Sequence, residues 1–342
     1  MPNIVVVPGD GIGPEVTAEA VLTLQELGTG LEFTFLEDIN ADRFLKTGVA
    51  LTDAELERIR AAGTVLFGAV GDPRVTSTEY ARGVLLKMRT ELDLYVNLRP
   101  AVLLDDRLSP LRGEDRRDID CVVVRENTEG LYSGIGGTLR PGTPDEIAVD
   151  QEVSTHLGVS RVIEYAYSIA RRSVCMVDKS NAVRSGGRLW QRCWQEARGR
   201  HPEVASSHLY VDAAAMRLVT DAPSFDVIVT NNSYGDILSD LTAELAGGIG
   251  TAASANINPQ TGMGLYEPVH GSAPDIVGKG LANPAGAVLS AAMLLRDRGF
   301  TAESEALHKA VRTTLAARRC TPDLGGTLTT REAGAAIRAA VS

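Results

Sequence analysis

The chain has 342 residues, 44% of them hydrophobic and 23% charged, the make-up of a globular protein of about two domains. Its 34 basic residues against 44 acidic ones leave a formal charge of −10, which argues against a nucleic-acid surface but not against a small anion held by a few arginines. Cys121, Cys175, Cys193 and Cys320 are scattered without metal spacing and read as reduced thiols of a cytoplasmic protein.

The first apolar run, residues 4–7 of MPNIVVVPGDGIGPEV, has no basic residues before it and reads as a first strand rather than a signal peptide. No run approaches the roughly 18 apolar residues of a membrane span. The segment PGDGIGPE (8–15) carries glycines at 9, 11 and 13, and Pro14 opens a helix reaching about residue 27. It is not GxGxxG, and no acid ends a second strand about 20 residues on, so a Rossmann reading lacks its partner residue. The loop reads equally as a tight turn needing positive φ and as a phosphate loop. Further on, a helix over 52–62 precedes the strand TVLFGAV (64–70), and CVVVRE (121–126) is another strand. Residues 133–155, rich in Gly and Pro with short alternating runs, predict an extended arm or hairpin. SVCMVD (173–178), HLYVDA (208–213) and FDVIVT (225–230) continue the strands, and NPAGAVLSAAMLLR (283–296) is apolar nearly all round, a buried helix. The alternation predicts an α/β fold with a largely parallel sheet.

Several residues on this frame invite chemistry. Arg89, Arg99 and Arg125 stand at strand or helix ends, where a guanidinium can clamp a carboxylate, although a surface salt bridge explains any one of them alone. Tyr132 closes ENTEGLY, and Lys179 follows the strand ending at Asp178, a candidate base or proton relay if it is not an exposed loop lysine. In NNSYGDILSD (231–240), residues 231–235 read as a turn, with a helix beginning near Gly235. That helix would set Asp236 and Asp240 side by side, as a solvated first turn or as a pair sharing a cation. Asp212, at the end of the strand HLYVDA, is a candidate third acid. His270, among the turn residues of EPVHGSAPD, is either a loop element or a ligand contact.

GDGIGPE, ELDLYVNLRP, VVVRENTEGLY, DKSN, YVDA, NNSYGDILSD, EPVHGSAPDIVGKGLANP and TPDLGG occur in this order along nearly the whole chain. The series resembles the β-decarboxylating dehydrogenases, a family that includes isopropylmalate, isocitrate, homoisocitrate, tartrate and D-malate dehydrogenases. The resemblance implies a two-domain α/β fold that is not Rossmann. One domain combines about 1–98 and 246–342 on the cofactor side. The other, about 99–245 with its arm at 133–155, carries dimerisation and substrate. It implies a homodimer with shared active sites in the cleft between domains. In that scheme Asp236 and Asp240, with Asp212 from the partner subunit, hold Mg²⁺ or Mn²⁺, which prefers oxygen ligands. Lys179, also reaching the neighbouring subunit's site, takes the hydroxyl proton, Tyr132 protonates C3, and Arg89, Arg99 and Arg125 hold the malate carboxylates. Ile12, Asn181, Glu267, His270, Gly271, Ser272, Ala273, Asp275, Ile276 and Asn283 fall at cofactor positions. Asp275 suits the ribose hydroxyls of NAD and would repel a 2′-phosphate. NADP-using relatives tend to carry lysine and tyrosine at Asp275 and Ile276.

The segment YARGVLLKMR bears on the substrate. Isocitrate enzymes carry serine and asparagine at the places of Gly83 and Leu85. Leu85 and Leu86 instead match the leucine pair of isopropylmalate enzymes, where an apolar branch buries well. Two departures stand against this: a glutamate usual in those enzymes falls at Ala81, beside Arg82, and a usual valine is Ala182. The segment also resembles tartrate and D-malate enzymes, which usually carry tryptophan at Arg82. The expectation is 3-isopropylmalate. Tartrate, D-malate, homoisocitrate or a specialised, for example phosphonate-bearing, malate is the alternative. A catalytically silent regulatory paralogue should have lost part of the Tyr132, Lys179 and three-aspartate set, and none is lost.

Overall fold

The computed structural model describes residues 3–113 and 116–341. Its strands are β1 (Asn3–Gly9), β2 (Glu32–Phe35), β3 (Thr64–Ala69), β4 (Val96–Val102), β5 (Asp120–Glu126), β6 (Gly136–Leu139), β7 (Ile147–Asp150), β8 (Ser173–Asp178), β9 (Ala205–Tyr210), β10 (Val227–Thr230), β11 (Ala253–Asn258) and β12 (Met263–Pro268). Its helices are α1 (Gly13–Glu26), α2 (Ala41–Thr47), α3 (Asp53–Ala62), the short α4 (Glu79–Ala81) and α5 (Lys87–Glu91), α6 (His156–Ile169), α7 (Arg184–Arg200), α8 (Val211–Thr220), α9 (Asn232–Leu245), α10 (Ala285–Asp297), α11 (Thr301–Ala316) and α12 (Thr330–Ala339). A π-helical turn, Arg82–Leu86, joins α4 to α5. No helix among the described residues is long and apolar enough to cross a membrane.

The chain divides into two compact units, Met1–Leu94 with Val102–Leu111 and Ala243–Ser342, and Tyr95–Ala101 with Arg112–Thr242. In the first, the strands run β2-β1-β3-β12-β11. They pair in parallel except for the antiparallel β11–β12, an order unlike the doubly wound Rossmann sheet. Residues 4–7 of β1 are wholly buried, as a parallel strand covered on both faces must be. The core packs Val5, Val65, Phe67, Ile39, Tyr80 and Met88 together. Thr52 and Glu55 close a capping box at the start of α3, which explains its sharp onset. The predicted buried helix is α10, its first eleven residues all buried.

The glycine loop 9–13 is a tight turn. Gly9 and Gly11 have φ of +72° and +59°, and side chains there would strike the carbonyls of Ala69 and Ser272. Its amides are committed inside the protein: Asp10 N donates to Ala69 O (2.8 Å), Ile12 N to Ser272 O (2.9 Å) and Gly13 N to Asp10 O (2.9 Å). These glycines admit backbone, and these three amides are not free to cradle a phosphate.

The second unit orders its strands β4-β5-β10-β8-β9, with β5, β10, β8 and β9 parallel. The arm is an antiparallel hairpin of β6 and β7 with every strand residue exposed. Two boundaries differ from expectation. Most of the turn expected at 231–235 is the first part of α9, because the Asn231 side chain accepts from Tyr234 N at 2.9 Å and caps the helix three residues early. Asp212 does not end a strand: β9 stops at Tyr210, and Asp212 lies in the first turn of α8, where an acid suits the helix dipole.

Candidate active site

Within the second unit, β5, α9, β4 and the turn after β5 bring five predicted residues together. Arg125, at the end of β5 and only 2% exposed, donates through Nε to Asn232 Oδ1 at 2.9 Å and through Nη1 to Asp236. Arg99 of β4 donates to Asn97 Oδ1 (2.9 Å), Ser239 Oγ (2.9 Å) and Asp240 Oδ1 (3.1 Å), and lies 3.5 Å from Asp236. The Tyr132 hydroxyl donates to Asp236 Oδ2 at 3.1 Å, and the Arg125 guanidinium lies 5.6 Å from its ring centre. Burial and then the Asp236 charge raise the Tyr132 pKa, so the phenol holds its proton. Burial also raises the Asp240 pKa, with Arg99 opposing and Asp236 adding. Two carboxylates one helical turn apart, each paired with a guanidinium group, are hard oxygen donors of the kind a divalent cation takes.

Glycine makes this geometry possible. A side chain at Gly235 would lie 2.6 Å from Arg125 Cγ, so Arg125 reaches Asp236 across a bare patch of α9. Asn97, Asn232, Ser239 and Gly235 were not anticipated as parts of the site. Their only sequence signal is membership of the NLRP and NNSYGDILSD motifs.

Lys179 and Asp212 meet elsewhere in this unit: Lys179 Nζ donates to the Asp212 carboxylate, which lowers the Asp212 pKa. Among the described residues, no group of three or more His, Cys, Asp or Glu is placed to hold a metal. The resemblance assigned Asp212 to a partner chain's site. Asn181 lies exposed just beyond Lys179.

In the first unit, Arg89 is 5% exposed and donates to Glu267 Oε1 at 3.2 Å, which also accepts from Asn256 at 2.9 Å. Its Nε is buried without a partner. Glu267, expected at the cofactor, also anchors this arginine. Leu85 packs against the hydrophobic core and Leu86 is half-buried. Arg82 is exposed. Gly83 lies so close to Ala50 that an added Cβ would stand 2.8 Å from the Ala50 Cβ.

The residues 270–276 form the other half of the turn that packs on Gly11. His270 Nδ1 pairs with Gly271 O at 3.0 Å, while Nε2 is buried with no partner. Burial lowers its pKa, so the ring is neutral and Nε2 is an unmet acceptor. Ala273 takes φ of +40°, an unusual conformation for a residue with a side chain. Asp275 is exposed and Ile276 half-buried. Asn283 donates to Asp323 at 2.9 Å and accepts from Ala285 N, the first residue of α10, at 2.9 Å. An orphaned acceptor and an exposed acid on one loop fit a nucleotide with amino and hydroxyl donors.

The fold and the proteins it matches are those of the β-decarboxylating 2-hydroxy-acid dehydrogenases, a class carrying out NAD-dependent oxidative decarboxylation. The isocitrate/isopropylmalate dehydrogenase family model matches residues 3–337, and the chain belongs to that family. It is 50% identical over 328 residues to the 3-isopropylmalate dehydrogenase of Leifsonia xyli, covering 92% of this chain and 91% of that one. It is 46% identical over 344 residues to the enzyme of that name from Streptomyces coelicolor, covering 97% and 99%. A crystal structure of isocitrate dehydrogenase from Methylococcus capsulatus superposes with a TM-score of 0.91 at 35% identity, covering 100% of this chain and 99% of that one.

Proposed function

We propose that the protein oxidises and decarboxylates a 3-substituted D-malate with NAD and a divalent cation, and that 3-isopropylmalate is its substrate. The observation that carries this reading is the cluster of Arg99, Arg125, Tyr132, Asp236 and Asp240. Asp236 and Asp240, joined by Asp212 of the other subunit of a homodimer, hold the cation. When bound, the cation supplies Lewis acidity at the oxygen on C2, and NAD supplies a hydride acceptor.

Arg89, Arg99 and Arg125 are the residues assigned to the two malate carboxylates. The unmatched Nε of Arg89 is a donor that a carboxylate oxygen would satisfy. Lys179 takes the proton of the C2 hydroxyl as C2 gives up hydride and becomes a carbonyl. The bond from C3 to its carboxylate then breaks, CO₂ leaves, and the electron pair stays on the carbon skeleton. Tyr132, whose raised pKa keeps it protonated, returns a proton to C3. Asp275 selects NAD over NADP by repelling a 2′-phosphate, while His270 Nε2 accepts from the nucleotide. The exposed apolar residues of the hairpin, Leu139, Ile147 and Val149, support the homodimer.

The half-buried Leu86 and the names of the relatives favour an apolar branch on C3. One observation favours a second substrate: Arg82 is an exposed cation on the same π-helical turn, suited to an anionic C3 group such as a phosphonate. Steady-state kinetics with NAD⁺ and Mn²⁺ on 3-isopropylmalate, D-malate, tartrate, homoisocitrate and a phosphonate-bearing malate decide between them. The reading requires 3-isopropylmalate to have the highest kcat/KM. A value at least tenfold below another member rejects it.

A further inference from the structure

We propose that His208 and Asp178 are positioning residues that aim Lys179; the inference rests on the reading of Lys179 as the base. A lysine side chain has many rotamers to lose, so the loop and surface that hold it decide how often Nζ points at its target. Three features fix the loop. Asp178, 4% exposed, accepts from His208 Nε2 at 2.8 Å, Gln191 Nε2 at 2.8 Å and Ser180 N at 3.1 Å. The Lys179 carbonyl accepts from Ala182 N and Val183 N, both at 2.8 Å. Helix α7 presses on the turn so closely that a side chain at Gly187 would lie 2.5 Å from Ser180 Cα.

The far end of Lys179 is guided by the neighbouring strand. Asp178 and Tyr210 are register partners of β8 and β9. His208 stands two residues before Tyr210, on the same face of β9. Its ring meets Tyr210 edge to face at 5.1 Å and packs 5.8 Å from buried Trp194. Lys179 Nζ in turn lies 5.8 Å from the Tyr210 ring centre and donates to Asp212. His208 therefore ties the buried carboxylate that anchors the start of the lysine loop to the aromatic ring that the amine rests on. The run HLYVD holds the whole support: His208 on the carboxylate, Tyr210 under the amine, Asp212 on the amine itself.

The experiment compares the unmodified enzyme with His208→Ala, His208→Gln, Asp178→Asn and Lys179→Met. It uses NAD⁺, Mn²⁺ and the malate of the panel above that turns over fastest, and in parallel the Mn²⁺-dependent decarboxylation of oxaloacetate. A glutamine amide can donate to the same carboxylate. His208→Ala and Asp178→Asn should lower kcat for oxidation about ten- to a hundredfold with KM within about threefold. They should leave oxaloacetate decarboxylation within about twofold, and His208→Gln should recover most of the loss. Unchanged kcat in His208→Ala overturns the inference, as does equal loss of oxidation and decarboxylation in both His208→Ala and Asp178→Asn, which would mark a purely structural role. Full oxidation by Lys179→Met instead sinks the assignment of the base, an outcome separate from the other two.

Discussion

Asp236 is the most heavily engaged carboxylate of the site, meeting Arg125, Arg99 and Tyr132. Replacing it or Asp240 by asparagine removes an anionic ligand while keeping the shape. Activity should fall at least about a hundredfold with little change in melting temperature. Full turnover by either variant in the presence of a chelator would refute the cation site. Gly235 gives a test of a different kind. Alanine there adds a methyl 2.6 Å from Arg125 Cγ and 2.7 Å from its Cβ, too near the backbone for the side chain to swing clear. The gain in helix propensity, about 1 kcal/mol, is offset by about 1–3 kcal/mol of overpacking. KM for the malate should rise about tenfold or more as Arg125 is displaced. An unchanged KM would show that Arg125 does not bind substrate. Much of this site was legible as residue types: two acids at i and i+4, an arginine ending a strand, a tyrosine closing a turn. Which arginine meets which acid was not, since that depends on a bare glycine and on Asn97, Asn232 and Ser239, whose roles exist only after β4, β5 and α9 are packed.

Elements were legible where a local rule acts alone. Consecutive apolar residues predicted β1, Gly- and Pro-punctuated alternation predicted the hairpin of β6 and β7, and an unbroken apolar stretch predicted α10. Two helix starts were missed: the Asn231 side chain starts α9 earlier than its glycine suggested, and α8 begins at Val211 directly after β9 with no side-chain cap to signal it. The π-helical turn at Arg82–Leu86, within which Gly83 packs closely on Ala50, left no mark in the periodicity of the sequence. Helix α11 carries an electrostatic consequence. Burial first, then Arg296 and Arg312, hold the His308 pKa below its ordinary 6.5, and burial does the same to His270. Both rings are neutral in the folded chain and free to charge in the unfolded one, so the unfolded state binds more protons as pH falls through 6.5. Stability should therefore drop on acidification from that value and level off below the folded pKa. Denaturant unfolding across this window should show a shallower loss for His308→Gln than for the unmodified chain. An equal or steeper loss would contradict the neutral, half-buried histidine.

The fold as a whole was read from the order of its motifs more than from its composition, and the order of strands in each unit bears out a non-Rossmann α/β architecture. Composition could not say that β11 and β12 turn antiparallel, since both are buried along their whole length and lack alternation. Cofactor choice belongs to this scale because it sets which pool of reducing equivalents the protein feeds. With Asp275 exposed at the end of the loop that packs on Gly11, kcat/KM should favour NAD⁺ over NADP⁺. Changing Asp275 and Ile276 to lysine and tyrosine should narrow or invert that preference. A native preference for NADP⁺ would reject the assignment of this loop. The central claim is tested most directly by supplying 3-isopropylmalate labelled with ¹³C in the carboxylate on C3, together with NAD⁺ and Mn²⁺, and following NADH and ¹³CO₂ together. The account predicts one labelled CO₂ for each NADH, with both lost on chelation. NADH formed without labelled CO₂, or no NADH from this substrate at all, would contradict it.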